Sequence, residues 1–234
     1  MKIDSATLSK FLTLVNLSGE IEIKECILRG DADKLSVIAI TPSKIVIVRG
    51  ELKGDFSTIG DIGIDDLSLL KRMLTAFSGE IDLVVTTNKL KLSNKSTKVE
   101  LVLRNPQYIL NEVDKTKFDG IHKKSSGNDF TLTPENVREF QRYYGVFGKE
   151  LLISGENKDI TFDLANGDNS LNLTIEVAET INKFEVKLAS LFMNILGTIA
   201  TGVKLSINDS ANAVLISHNT DDVKINYIVA PLMK

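Results

Sequence analysis

The chain has 234 residues, 43% of them hydrophobic and 25% charged, proportions that suit one large or two modest globular domains. Its formal net charge of -3 is too small to forecast a polyanionic partner, so any nucleic-acid reading must rest on where the basic residues lie. One cysteine, Cys26, rules out an internal disulfide. The opening MKIDSATLSK lacks an apolar signal core, and no apolar run approaches the ~20 residues of a membrane span. These features lead to the expectation of an intracellular protein (cytoplasm or nucleus, or host cell interior if viral) with no membrane partner.

In chain order, a strand at Met1–Asp4 precedes a helix capped by Asp4 or Ser5, with Leu8, Phe11, Leu12 and Val15 at helical spacing. Gly19 stops it, and strand-like runs follow at Glu20–Leu28, Leu35–Ile40 and Lys44–Val48. A second unit repeats the order: a strand at Phe56–Ile64, a helix entered at Asp65-Asp66 with Leu67, Leu70, Leu74 and Phe77 as its stripe, then Ile81–Thr86, Lys89–Leu92 and Lys98–Leu103. The stretch Asn105 to Asn128 breaks the rhythm. It opens with Asn-Pro, is rich in Lys, Asp, Gly and Ser, and carries apolar studs such as Tyr108, Val113 and Phe118. It reads as a connector strapped onto a surface.

Beyond it the pattern returns twice. A strand at Asp129–Leu132 leads to a Thr133-Pro134-Glu135 cap and the stripe Val137, Phe140, Tyr144, then to strands at Leu151–Ser154, Ile160–Asp163 and Leu171–Val177. A strand at Phe184–Leu188, a helix carrying Phe192, Ile195 and Ile199, and strands at Val203–Ile207, Ala213–Ser217 and Val223–Val229 close the chain. The whole is an α+β chain of four βαβββ units, two on each side of the connector. The expected divisions are an N-terminal domain at 1–104, a connector at 105–127 and a C-terminal domain at 128–234. Edge strands Lys98–Leu103 and Leu171–Val177 would pair head to tail between copies, a heterologous contact that closes into rings or runs on as filaments. Lys98, Val99, Leu101 and Leu103 would meet Leu171, Leu173, Ile175 and Val177.

Local signs of catalysis are missing. Gly148-Lys149 lacks the first glycine of a phosphate-binding loop, since Tyr143 stands there. His122 and His218 are far apart, and Cys26 has no cysteine partner, so no metal spacing exists. Asp65-Asp66 and Asp221-Asp222 fall at a helix cap and a turn. No catalytic residue, metal or cofactor is therefore expected, although a spatial triad leaves no local trace.

The polar helix faces are more informative. Lys10 and Thr13 stand opposite the first apolar stripe, Ser68, Lys71, Arg72 and Thr75 opposite the second, and Arg138 and Arg142 share a face of the third. Lys149 lies just beyond it. The fourth offers Ser190, Asn194, Gly197 and Thr201, polar but uncharged. The bland reading is of solvated faces with local ion pairs. No acidic residue is central on the first two faces, however, and a net acidic chain with neutral-to-basic helix faces presents a surface for phosphates.

Several stretches resemble the DNA sliding clamps of the proliferating cell nuclear antigen type, and the resemblance covers the whole chain. Asn226-Tyr227-Ile228-Val229-Ala230-Pro231 is similar to that family's Tyr-Leu-Ala-Pro ending, Phe130–Ser154 to the opening of its second domain, and Leu8-Ser9-Lys10-Phe11-Leu12 to its first inner helix. Departures are Ser9 where a second basic residue is usual, a fourth helix without lysine, and a connector carrying Lys123-Lys124. These mark a divergent member, archaeal or viral. The resemblance implies a DNA-clamp fold and a non-enzymatic processivity factor. Its homotrimeric ring would encircle duplex DNA without reading sequence, be opened by a clamp loader and tether DNA polymerase. Lys10, Lys71, Arg72, Arg138, Arg142 and Lys149 would then line the hole. Client proteins would insert short apolar and aromatic peptides beneath the connector, against Ile40, Lys44, Ile45, Ile47, Ile228, Val229, Ala230 and Pro231, with Val113 and Phe118 as a lid. The alternatives are a monomeric processivity factor of the same fold, an enzyme assembled from the halves, and a structural β-rich assembly protein.

Overall fold

A computed structural model of the chain describes residues 1–147, 150–166, 168–189, 191–199, 201–208, 210 and 213–232, with backbone alone at 144–147 and 191. Two compact units divide it: Met1–Asp114 with Asn219–Ile225, and Lys115–His218 with Asn226–Lys234.

The first unit contains β1 (Lys2–Asp4), α1 (Ser5–Asn16), β2 (Cys26–Gly30), β3 (Lys34–Ile40), β4 (Val46–Lys53), β5 (Asp61–Ile64), α2 (Leu67–Leu74), β6 (Glu80–Val85), β7 (Lys89–Ser93) and β8 (Lys98–Val102). One antiparallel sheet runs β1-β6-β7-β8, and strands in the order β5-β2-β3-β4 form the other. The Asp4 carboxylate accepts from Thr7 N at 2.9 Å and starts α1, whose Leu8, Phe11, Leu12 and Val15 are buried. Asp66 caps α2 through Leu69 N at 2.7 Å, and Leu67, Leu70 and Leu74 face inward. Each such side chain contributes about 1.5–3 kcal/mol on burial. The strand expected from Phe56 begins only at Asp61, because Phe56 is a buried plug and Ser57 turns back on Asp55. The run expected from Glu20 is likewise a 3-10 turn at Gly19–Ile21, and the strand starts at Cys26.

The second unit contains α3 (Lys115–Ser125), β9 (Asn128–Leu132), α4 (Pro134–Phe147), β10 (Glu150–Asn166), β11 (Asn169–Ala189), α5 (Leu191–Thr198), β12 (Val203–Ile207), β13 (Val214–Asn219) and the last residues of β14 (Val223–Val229). β9, β12 and β13 are neighbours in antiparallel register, while β10 and β11 pair with each other. Four shorter strands were expected where these two long ones stand. Their polar middles stay extended, and the register shifts around Asn157, whose φ is 62°. Thr133 Oγ1 accepts from Asn136 N at 3.2 Å and Pro134 opens α4, as its cap sequence predicts.

The connector is less plain than its composition suggests. A 3-10 turn occupies Pro106–Tyr108, and its polar second half is α3, helped by a Lys115–Asp119 pair at 2.7 Å and by Phe118 buried beneath. Its first half is laced to the first unit. Arg104 N donates to Gly63 O at 2.9 Å, and Ile40 N to Asn111 O at 2.9 Å. Leu110 N donates to Glu25 Oε1 at 2.9 Å. Arg29 ties Glu112 to Asp61, the latter at 3.6 Å, and Ile109 and Val113 are buried. Gly63 permits this approach, since a Cβ there would sit 2.4 Å from Arg104 O. Gly63→Ala should therefore cost about 1–3 kcal/mol by overpacking. Limited proteolysis should also cut between Arg104 and Lys115 faster in that variant; unchanged protection would show the strap is held elsewhere.

Candidate nucleic-acid and partner interfaces

In the first unit Lys10 and Arg72 are exposed, with no ion pair to either among the described residues. Lys71 is different. Its ammonium donates to Asn16 Oδ1 at 2.8 Å, joining α2 to the end of α1, and partial burial holds its pKa below the ordinary lysine value against the pull of Glu22. Asn16 is itself buried and donates to Ile23 O at 2.9 Å, while the Ser68 hydroxyl reaches both Asn16 and Glu22. Lys71 is thus a strut between helices as well as a cation.

In the second unit Arg138 is exposed but donates to Glu135 Oε1 at 2.7 Å, the local pairing that the bland reading predicts. Arg142 is exposed, 5.9 Å from the Tyr143 ring centre. Lys149 and Ser190 lie outside the described residues. α5 buries Phe192, Met193, Ile195 and Leu196, and its sequence LFMNILGT carries no cation.

The two strands expected to pair between copies both stand at sheet ends. β8 is the last strand of its sheet, with Leu101 buried against Leu90, Val99 and Leu103 half-buried, and Lys98 exposed. Around its Glu100 gather Lys89 at 2.8 Å, Lys91 at 3.6 Å and Lys98 at 3.6 Å, and the Lys89 hydrogen bond chiefly holds that carboxyl below its ordinary pKa. In β11, Leu171, Leu173 and Ile175 lie opposite Leu164, Phe162 and Ile160, and with Val177 they form a half-buried apolar row. From Asp159 to Glu179 the sequence holds five acidic residues and no lysine or arginine. One edge is therefore basic and the other acidic.

The residues expected to hold a client peptide divide by burial. Ile40, Lys44 and Ile45 stay accessible in the first unit, as do Ala230 and Pro231 in the second. Ile47, Val113, Phe118, Ile228 and Val229 are buried, and Phe118 stacks on His122, so these side chains serve the core. The connector instead exposes Tyr108 and Leu110, 63% and 83% accessible. Nothing in the local pattern separates these from buried Ile109, because the turn at Pro106–Tyr108 decides which of them faces out. Among the described residues no three His, Cys, Asp or Glu side chains gather as metal ligands, and no helix is long and apolar enough to cross a membrane.

No protein-family model matches the chain, and no curated protein matches it by sequence. Its structure is nonetheless similar to solved ones over its full length. A. fulgidus PCNA bound to the C-terminal region of FEN-1 aligns with TM-score 0.81 at 12% identity, covering 100% of this chain and 98% of that one. The proliferating cellular nuclear antigen of Entamoeba histolytica aligns with TM-score 0.77 at 14% identity, covering 99% and 98%. The DNA polymerase III subunit beta of Pseudomonas aeruginosa aligns with TM-score 0.76 at 12% identity, covering 100% of this chain and 66% of that one. The chain has the DNA sliding-clamp fold.

Removing the buried amide at the α1–α2 junction tests its structural share: Asn16→Ala should lower unfolding free energy by about 1–3 kcal/mol, since Lys71 and Ile23 O lose a partner. An unchanged denaturant midpoint would return Lys71 to a purely surface role.

Proposed function

We propose that the chain is a sliding-clamp subunit, a processivity factor that assembles head to tail into a trimeric ring around duplex DNA and tethers a polymerase and other clients. The full-length agreement with clamp structures carries this reading. The oppositely charged edges support it. A basic β8 brought against the acidic β10–β11 end would pair backbones, cover the apolar row of β11 and favour a single head-to-tail register. Exposed Lys10, Arg72 and Arg142, with Lys71 held by Asn16 and Arg138 paired to Glu135, suit weak phosphate contact. In a closed ring the topology retains DNA, so sequence-blind contacts suffice and strong ones would stop sliding.

For clients, a clamp described in complex with the C-terminal region of FEN-1 supports peptide capture. Ile40, whose N–H the connector engages through Asn111 O, and Ile45 offer apolar anchor points with the exposed Tyr108 and Leu110, and Lys44 adds a cation. Loading by a clamp loader follows from the need to open a ring.

Two experiments check the reading. Light scattering should give three times the chain mass. Lys91→Glu with Lys98→Glu should weaken assembly by about tenfold or more, and Glu176→Lys with Glu179→Lys on the same chain should restore it; a monomeric parent would favour the non-ring alternative. Separately, Arg72→Glu with Arg142→Glu should reduce processive synthesis while leaving the mass unchanged, and added salt should weaken DNA retention of the parent before loading. Full processivity in that variant would move the DNA face elsewhere.

A further inference from the structure

α3 is the part of the connector that packing explains least. Its sequence KTKFDGIHKKS holds four lysines and one aspartate, in a chain whose net charge is -3. Phe118 and Ser125 are its buried residues, and its far end is fastened by backbone groups. Asn208 Nδ2 donates to Lys124 O at 2.7 Å, and Gly127 N to Ser206 Oγ at 3.0 Å. None of these contacts uses a lysine side chain.

The cations of the helix fall into two groups. Lys115, in the first turn, pairs with Asp119 at 2.7 Å, and Lys117 has an interaction of its own. Lys123 and Lys124 are exposed, and among the described residues no ion pair reaches either. The next acid along the chain, Asp129, is already held by Lys204 at 2.5 Å. The helix macrodipole favours cations in a last turn, and it accounts for Lys123 and Lys124 by themselves. It does not account for Gly120. That residue is exposed in mid-helix, its φ is not positive, and a Cβ there would meet nothing within 4 Å. Neither conformation nor packing requires glycine, which weakens a helix relative to alanine. Lys123 and Lys124 stand three and four positions on, and helical side chains lean back toward the preceding turn. Both therefore flank the gap that the missing side chain leaves.

We propose that α3 docks an acidic segment of a partner protein, whose backbone crosses Gly120 and whose carboxylates meet Lys123 and Lys124. Charge complementarity names the occupant. A helix of eleven residues, about 16 Å long, with two uncommitted cations suits a short run of Asp or Glu. A nucleic-acid strand, whose affinity grows with the number of phosphates neutralised, would gain little from two. The surface uses residues of the second unit only, so it stands whether or not clients dock at Ile40 and Ile45.

The probe is the fluorescein-labelled octapeptide GSDEEDSG, beside its amide counterpart GSNQQNSG, titrated against the whole chain by fluorescence anisotropy. The parent should bind the acidic peptide about tenfold more tightly than the amide one. Lys123→Glu with Lys124→Glu should abolish that preference. Gly120→Gln fills the gap with a better helix former, so it should melt no lower than the parent yet bind the acidic peptide about tenfold less tightly. Arg72→Glu with Arg142→Glu should leave peptide binding unchanged. Equal affinity for the two peptides, or a preference that the lysine double variant does not move, overturns the proposal. Loss of the preference in the arginine double variant also overturns it, by placing the peptide on the other helix faces. Full affinity in Gly120→Gln does the same, because the backbone would then not cross there. A labelled single-stranded oligonucleotide that binds the parent in place of the peptide, and is lost with Lys123 and Lys124, would make α3 a nucleic-acid site instead.

Discussion

Strand edges are the constraint on which this molecule depends. Every antiparallel sheet built from βαβββ units must end somewhere, and its last strand leaves backbone donors and acceptors unsatisfied by the sheet itself. The chain treats its edges in different ways. β8 is ringed by lysines around one glutamate, and the β10–β11 end carries acids alone. Like charge on each edge discourages an edge from pairing with a copy of itself, while opposite charge on the two suits the proposed head-to-tail contact. The half-buried row of Leu171, Leu173, Ile175 and Val177 provides the apolar area that such a contact would cover.

The connector shows a second treatment. Between β2 and β3 the regular ladder is confined to Arg29–Ser36 and Gly30–Leu35, and farther along β3 the connector supplies the partner, through Ile40 N and the bridge from Ala39 to Glu112. Its exposed studs and its buried ones therefore have different physical origins. Ile109 and Val113 hold the strap down, whereas Tyr108 and Leu110 are turned outward and remain accessible. An apolar residue on a strap can belong to the core or to a partner, and only the backbone turn before it tells which.

Cation position follows a similar logic. Five basic residues of the helix faces are described, and they are not equivalent in their surroundings. Lys10, Arg72 and Arg142 extend from exposed positions, while Lys71 is committed to Asn16 and Arg138 to Glu135. A cation already engaged by a neutral amide keeps its charge and contributes to the local potential, but moving it onto a phosphate would leave a buried amide oxygen without that donor. α5, apolar along almost its whole length, adds packing and no charge.

The sequence alone determined the strand-and-helix rhythm on either side of the connector and the helix caps. Period-2 and period-3.6 patterns and Asp, Thr and Pro at cap positions are local properties, and Asp4, Asp66 and Thr133 cap as their spacing requires. The C-terminal Tyr-Ile-Val-Ala-Pro stretch stood out for a different reason, its resemblance to a known family's ending. Tertiary structure decided the rest. It merged four predicted strands into β10 and β11, because polar residues at a bulge still pair when the partner strand is beside them. It made a helix of Lys115–Ser125, whose weak local signal is offset by burying Phe118. It also set Tyr108 and Leu110 out and Val113 in, and tied Lys71 to a residue 55 positions away. Each of these depends on contacts between residues distant in the chain, which hydrophobic periodicity, a property of neighbours, does not encode.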